Sequence, residues 1–116
     1  MVGDMLRRSF TAVIEKDTTW TADFETEPYE AGWAAECRWF VRIMTIDGTD
    51  ASLTVTPQIS PDGLFWCDEG REPPAMTQPG VYSFALREFG NWLRLRAEVN
   101  GQNAAVKVMI YLVLKE

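Results

Sequence analysis

The chain has 116 residues, 47% of them hydrophobic and 24% charged. That is the balance of one folded soluble domain, large enough to bury a core without disulfides or a structural metal. A net charge of −6 repels phosphate backbones and argues against nucleic acid as a partner.

No stretch is apolar for the length of a membrane span, and Met1–Arg8 lacks a secretory apolar region. No membrane partner is therefore expected, and synthesis is expected in the cytoplasm. The domain is expected to span residues 1–116, with 1–8 as a flexible N-terminal arm.

In chain order, short strands are expected at Ser9–Glu15 and Thr19–Phe24. Glu25–Glu36, with Pro28, Tyr29, Gly32 and Trp33, reads as a loop or as a short helical turn around Ala31–Glu36. Cys37–Ile46 alternates: Trp39, Val41 and Ile43 share one face, and Arg38, Phe40, Arg42 and Met44 the other. Asp47-Gly48 then reads as a hairpin turn, because both residues tolerate positive φ.

Ala51–Ser60 sets Leu53, Val55, Pro57 and Ile59 against Ser52, Thr54, Thr56 and Gln58. Pro57 has no N–H, which predicts an edge strand or a donor position that points outward. Ser60-Pro61-Asp62-Gly63 is a turn, Leu64–Asp68 a short strand, Glu69–Gly80 an irregular proline-rich loop, and Val81–Arg87 another strand.

Asn91–Val99 places Leu93, Leu95, Ala97 and Val99 inward and Trp92, Arg94, Arg96 and Glu98 outward. Asn100-Gly101 reads as a second hairpin turn leading into Val106–Leu114. There Val106, Val108, Ile110, Leu112 and Leu114 face inward. The opposite face, with Met109, Tyr111 and Val113 between Lys107 and Lys115, is too apolar to be fully solvated; a loop or another subunit would cover it. About eight strands at this spacing predict an all-β fold: an antiparallel, jelly-roll-like sandwich with no substantial helix.

Chemistry-bearing patterns are scarce. The chain has no histidine, so Ser–His and Cys–His nucleophile pairs are absent and a common metal ligand is missing. The glycines are scattered among turns and form no phosphate loop. Asp62, Asp68, Glu69 and Glu72 are close in sequence but read as turn residues rather than a catalytic pair. Asp47-Gly48-Thr49-Asp50 lacks the further oxygens of a calcium loop. Cys37 and Cys67 match no zinc spacing and read as two buried thiols in preference to a disulfide. No enzyme activity, cofactor or metal is expected.

Thr54–Trp66, containing Ser60-Pro61-Asp62-Gly63-Leu64-Phe65-Trp66, resembles the T-V-x-Q-x-S-P-D-G-x-x-W stretch of small β-sandwich proteins from tailed phages and phage-derived loci. Phe89–Arg96 is similar to the F-G-x-x-L-R-V-R strand of such chains. The resemblance covers Cys37 to the end and implies a decoration-like component of a virion or particle surface, assembled through contacts between copies. The tryptophan-rich N-terminal half and the Glu69–Gly80 loop depart from that pattern.

The expected function is thus a structural, self-associating protein whose partners are copies of itself or a capsid or shell protein. The candidate interface residues are Trp33, Arg38, Phe40, Arg42, Met44, Trp92, Met109 and Tyr111. The alternative is a carbohydrate-binding module that uses Trp33, Trp92 and Tyr29 to stack on a glycan.

Overall fold

The computed structural model describes residues 8–116, an antiparallel all-β fold in which no helix occurs among the described residues. The strands are β1 (Ser9–Trp20), β2 (Phe24–Glu25), β3 (Tyr29–Glu30), β4 (Glu36–Ser60), β5 (Cys67–Asp68), β6 (Gly80–Arg87) and β7 (Trp92–Lys115). The expected arm, residues 1–8, lies outside the described residues except for Arg8. The Arg8 guanidinium pairs with the Glu116 carboxylate at 3.0 Å.

Two strands organise everything else. β4 has 25 residues and β7 has 24, and they pair along their whole length, from Glu36 opposite Lys115 to Ser60 opposite Trp92. Laid straight, such a strand would run roughly 80 Å at about 3.3 Å per residue. Yet the Ala31 N–H donates to the Asn91 carbonyl at 2.7 Å, and the Ala35 N–H donates to the Lys115 carbonyl at 2.9 Å. Four residues reach at most about 15 Å, so the two ends of β7 lie close together. The β4–β7 ribbon is folded back on itself.

The fold-back makes two layers. In the first, β1 pairs with the C-terminal half of β7, which pairs with the N-terminal half of β4, which pairs with β6. In the second, β2 and β3 flank the N-terminal half of β7, while β5 and the bridge from Met76 to Leu53 flank the C-terminal half of β4. The result is an antiparallel sandwich of jelly-roll character whose central strands pass through both layers.

The inner faces follow the alternation read from the sequence. Val106, Val108, Ile110, Leu112 and Leu114 are fully buried, and opposite them lie Cys37, Trp39, Val41 and Ile43. Leu53, Val55, Leu93, Leu95 and Ala97 line the second layer, and both sets belong to one continuous core. Burying each such aliphatic side chain contributes about 1.5–3 kcal/mol. Met76 closes this core from a loop expected to be wholly irregular; its N–H and carbonyl both bond Leu53, at 2.9 Å each.

The two expected hairpins do not exist. Asp47-Gly48 and Asn100-Gly101 lie inside β4 and β7, where the paired strands bend together, with register slips between Asp47 and Thr49 and between Thr49 and Ser52. Gly48 has φ +121° and Gly101 φ +113°. A Cβ at Gly48 would stand 2.8 Å from the Ala104 Cα, and one at Gly101 would stand 2.7 Å from the Thr49 carbonyl. Positive φ serves a bulge as well as a hairpin turn, so the local signal was right about the backbone and wrong about the pairing.

Other boundaries shift for similar reasons. The first strand expected near the N-terminus extends to Trp20 as β1, which slips register on either side of Glu15 and passes Asp17 at φ +50°, while the expected Thr19–Phe24 strand is broken at 21–23 and Phe24 opens β2. Leu64–Asp68 shrinks to Cys67–Asp68, and the helical turn weighed around Ala31–Glu36 is absent: a turn at Gly32-Trp33 leads into β4 at Glu36. Pro57 sits within β4, opposite Leu95, not at a sheet edge. Leu95 turns its N–H and carbonyl to Thr26 on its far side, and the Pro57 carbonyl accepts from the Glu69 N–H at 2.9 Å. The donor that proline lacks would therefore face the sparsely paired β5 flank, where no ladder bond needs it.

Candidate functional site

Because cross-strand partners share a face, the register defines the outer surface of the first layer. One row runs Val13, Tyr111, Phe40, Ser83 across β1, β7, β4 and β6. The row on one side is Thr11, Val113, Arg38, Ala85; on the other, Met109, Arg42 and Val81 stand abreast. Met44 lies at the register slip after Ile43 and shares a shallow concavity with Arg42, Val81 and Lys107.

Five candidate residues, Arg38, Phe40, Arg42, Met109 and Tyr111, thus come together, with Met44 at the margin. Phe40, Met109, Tyr111 and Val113 are only half-buried, and Val13 and Val81 are 54% and 65% exposed. Register, not local sequence pattern, places Val13 and Val81 on this face with Phe40.

This apolar surface carries cations. Arg38, Arg42, Arg87, Lys107 and Lys115 lie on it or at its margin, five of the eleven lysines and arginines of an acidic chain. The Arg38 guanidinium donates to the Ser83 hydroxyl at 3.0 Å, and Arg87 pairs with Glu36 at 2.9 Å. A concavity of about 340 Å³ is lined by Phe40, Val113 and Ala85 together with Arg38, Arg87 and Lys115.

The other two candidates lie elsewhere. Trp92 sits on the outer side of the second layer under the Ser60–Gly63 turn, where a Cβ on Gly63 would stand 3.1 Å from its ring. Trp33 packs against the core, with the Arg8 guanidinium 4.9 Å above its ring. Tyr29 pairs with Leu93 in β3 and also packs against the core. Each aromatic of the glycan alternative is thus half-buried and engaged by its own chain. Trp66 is covered by the Arg94 guanidinium at 4.3 Å, and Arg94 in turn donates to Gln58 at 2.8 Å and pairs with Glu25.

The carboxylates weighed for catalysis are occupied by loop geometry. Asp62 accepts from the N–H groups of Phe65 and Leu64, which favour its ionised form and lower its pKa. Asp68 accepts from the Gln58 amide at 2.8 Å, and Glu69 from the Arg71 N–H at 3.0 Å. Among the described residues no three His, Cys, Asp or Glu groups converge as metal ligands.

Both cysteines are free thiols, but only Cys37 is buried; Cys67 is exposed on the short β5, which corrects the expectation of two buried thiols. Burial pushes the Cys37 pKa up to about 12.

The loop tip after β4 is a further exposed feature that strand alternation does not reveal. Leu64 and Phe65, expected in a strand, are each 76% exposed on the turn that Ser60 and Asp62 hold. Two large apolar residues directly after Ser-Pro-Asp-Gly were the available signal.

No protein-family model matches the chain, and no curated protein matches it. Among solved structures it is similar to the SPBc2 prophage-derived protein YomS, with a TM-score of 0.58 and 11% identity over 96% of each chain. At that identity the likeness is one of fold. A chain of the T13 IBDV viral particle aligns over 95% of this chain and 35% of its own length, with 12% identity and a TM-score of 0.40.

Proposed function

We propose that this chain is a non-enzymatic structural protein that assembles with copies of itself and, in a phage-type setting, builds or coats a particle such as a virion. The observation that carries the reading is the outer face of the first layer. A sheet face meant for water alternates polar residues outward, whereas here Val13, Tyr111 and Phe40 stand abreast on adjacent strands. Val113, Ala85, Met109 and Val81 widen the patch along the strands. Apolar surface gains about 25 cal/mol per Å² when it leaves water, and a contiguous patch of this kind marks an interaction site. The shared fold with a prophage-derived protein supports the phage-type setting, and a capsid or shell protein is the partner such a coat would meet.

The test is molar mass by size-exclusion chromatography with light scattering over a range of concentrations. The wild-type mass is expected to rise in multiples of 13.2 kDa, and Phe40→Ser to hold it at the monomer while keeping the wild-type fold by circular dichroism. A wild type that stays monomeric at every concentration overturns the reading.

A further inference from the structure

The turn after β4 holds two large apolar side chains out into solvent, and it is built to do so. Leu64 and Phe65 are the most exposed large hydrophobic residues among those described. The Asp62 carboxylate accepts from their N–H groups at 2.9 and 3.0 Å. The Ser60 hydroxyl oxygen accepts from the Gly63 N–H at 2.8 Å, and the hydroxyl donates to Asp62 at 3.0 Å. Trp92 supports the turn from below at Gly63. A knob ordered in advance loses little conformational freedom on binding. Its surroundings are acidic: between Pro61 and Glu72 stand Asp62, Asp68, Glu69 and Glu72, against the lone cation Arg71.

The first layer offers the complementary surface. Its concavity brings the apolar Phe40, Val113 and Ala85 together with the cations Arg38, Arg87 and Lys115, and Arg38 stands between Val113 and Ala85 in the register. The one acid at that edge, Glu36, is already paired with Arg87. Two such faces packed against each other would bring Arg38 and Arg42 of both copies together, a like-charge contact that disfavours the pairing. An acidic loop with an apolar tip meets the same face without that conflict.

We infer that the Leu64–Phe65 turn of one copy seats in the Phe40–Val113–Ala85 groove of the next, with the acids of the turn facing Arg38, Arg42 and Lys115. The inference rests on the assembly reading above and specifies its contact. Knob and groove are different surfaces of one molecule, so the contact is heterologous. Each copy offers one of each, and repetition gives a ring if the rotation closes and a filament if it does not.

The test is a mixing experiment read by light scattering. One variant, Leu64→Ser with Phe65→Ser, loses the knob and keeps the groove. A second, Phe40→Ser, loses the groove and keeps the knob. Arg38→Glu, a change at an exposed position, is a second groove variant that removes dependence on how well Phe40→Ser folds. Each variant alone is expected at the 13.2 kDa monomer mass. An equimolar mixture of the knob variant with either groove variant is expected at twice that mass and no higher, because the remaining knob and groove are both spoiled. Raising the salt concentration should weaken the dimer.

A knob variant that assembles like the wild type overturns the inference and leaves the assembly reading standing. Monomeric variants whose mixture forms no dimer also overturn it. A wild type that never assembles overturns both.

Discussion

Replacing Gly101 by alanine should destabilise the protein far more than replacing Gly70, although the two backbones are nearly alike. Gly101 has φ +113° and Gly70 φ +116°, so both substitutions meet the same conformational penalty, about 1–3 kcal/mol for a side chain held there. They differ in what the new methyl would touch. At Gly101 it would lie 2.7 Å from the Thr49 carbonyl and 2.8 Å from the Ala51 Cα, whereas at Gly70 nothing comes within 4 Å.

Forcing a methyl into packed backbone adds about 1–3 kcal/mol. Gly101→Ala should therefore exceed Gly70→Ala by about 2 kcal/mol, which lowers the urea midpoint by about 1 M at a typical slope for a small domain. Equilibrium urea unfolding followed by tryptophan fluorescence measures both. If the two variants agree within about 0.5 kcal/mol, Gly101 does not pack against β4. An open hairpin loop at Asn100-Gly101 would then be the better description.

Three further outcomes follow from individual side chains. Leu112→Ala, at a fully buried position opposite Trp39, should cost about 2–5 kcal/mol in the same assay, while Val113→Ala on the outer face should cost less than about 1 kcal/mol. The Asp62 carboxyl, whose ordinary pKa of 3.8 is lowered by the backbone N–H groups of Phe65 and Leu64, favours the folded turn while ionised. That contribution is complete above the unfolded value and is lost as pH falls through the lower folded one; an NMR titration should find a midpoint below 3.8, and Asp62→Asn should abolish the transition and loosen the amides of Leu64 and Phe65. Native protein should show one rapidly alkylated thiol, Cys67, and Cys37 should react only after unfolding, because it is buried with a pKa of about 12.

Much of the burial pattern could be read directly from the residues. Val106–Leu114 and Cys37–Ile43 alternate without a break, and the structure buries the predicted member of each pair because a pleated strand sends successive side chains to opposite faces. The candidates Arg38, Phe40, Arg42, Met109 and Tyr111 emerged from the same alternation.

What failed was pairing. Asp-Gly and Asn-Gly report a backbone that needs positive φ, and nothing local distinguishes a chain that reverses there from two strands that bulge and bend together. The contact that decides, Gly48 against Ala104 and Gly101 against Thr49, joins residues more than fifty positions apart in the sequence. Strands of two residues, such as Tyr29–Glu30, carry too short a pattern to see, and the single bridge of Met76 to Leu53 carries none. An apolar pair such as Leu64-Phe65 ordinarily marks a core strand, whereas here the hydrogen bonds of Ser60 and Asp62 hold the pair in an exposed turn.

Whether copies meet on the outer face of the first layer can be read from methionine oxidation mapped residue by residue at rising protein concentration. Met109 lies on that face and Met44 at its margin, while Met76 is 2% exposed in the core and serves as the internal control. Oxidation of Met109 and Met44 should slow as the light-scattering mass rises, while Met76 stays slow throughout. Unchanged oxidation of Met109 in a sample that light scattering shows to be assembled would contradict it.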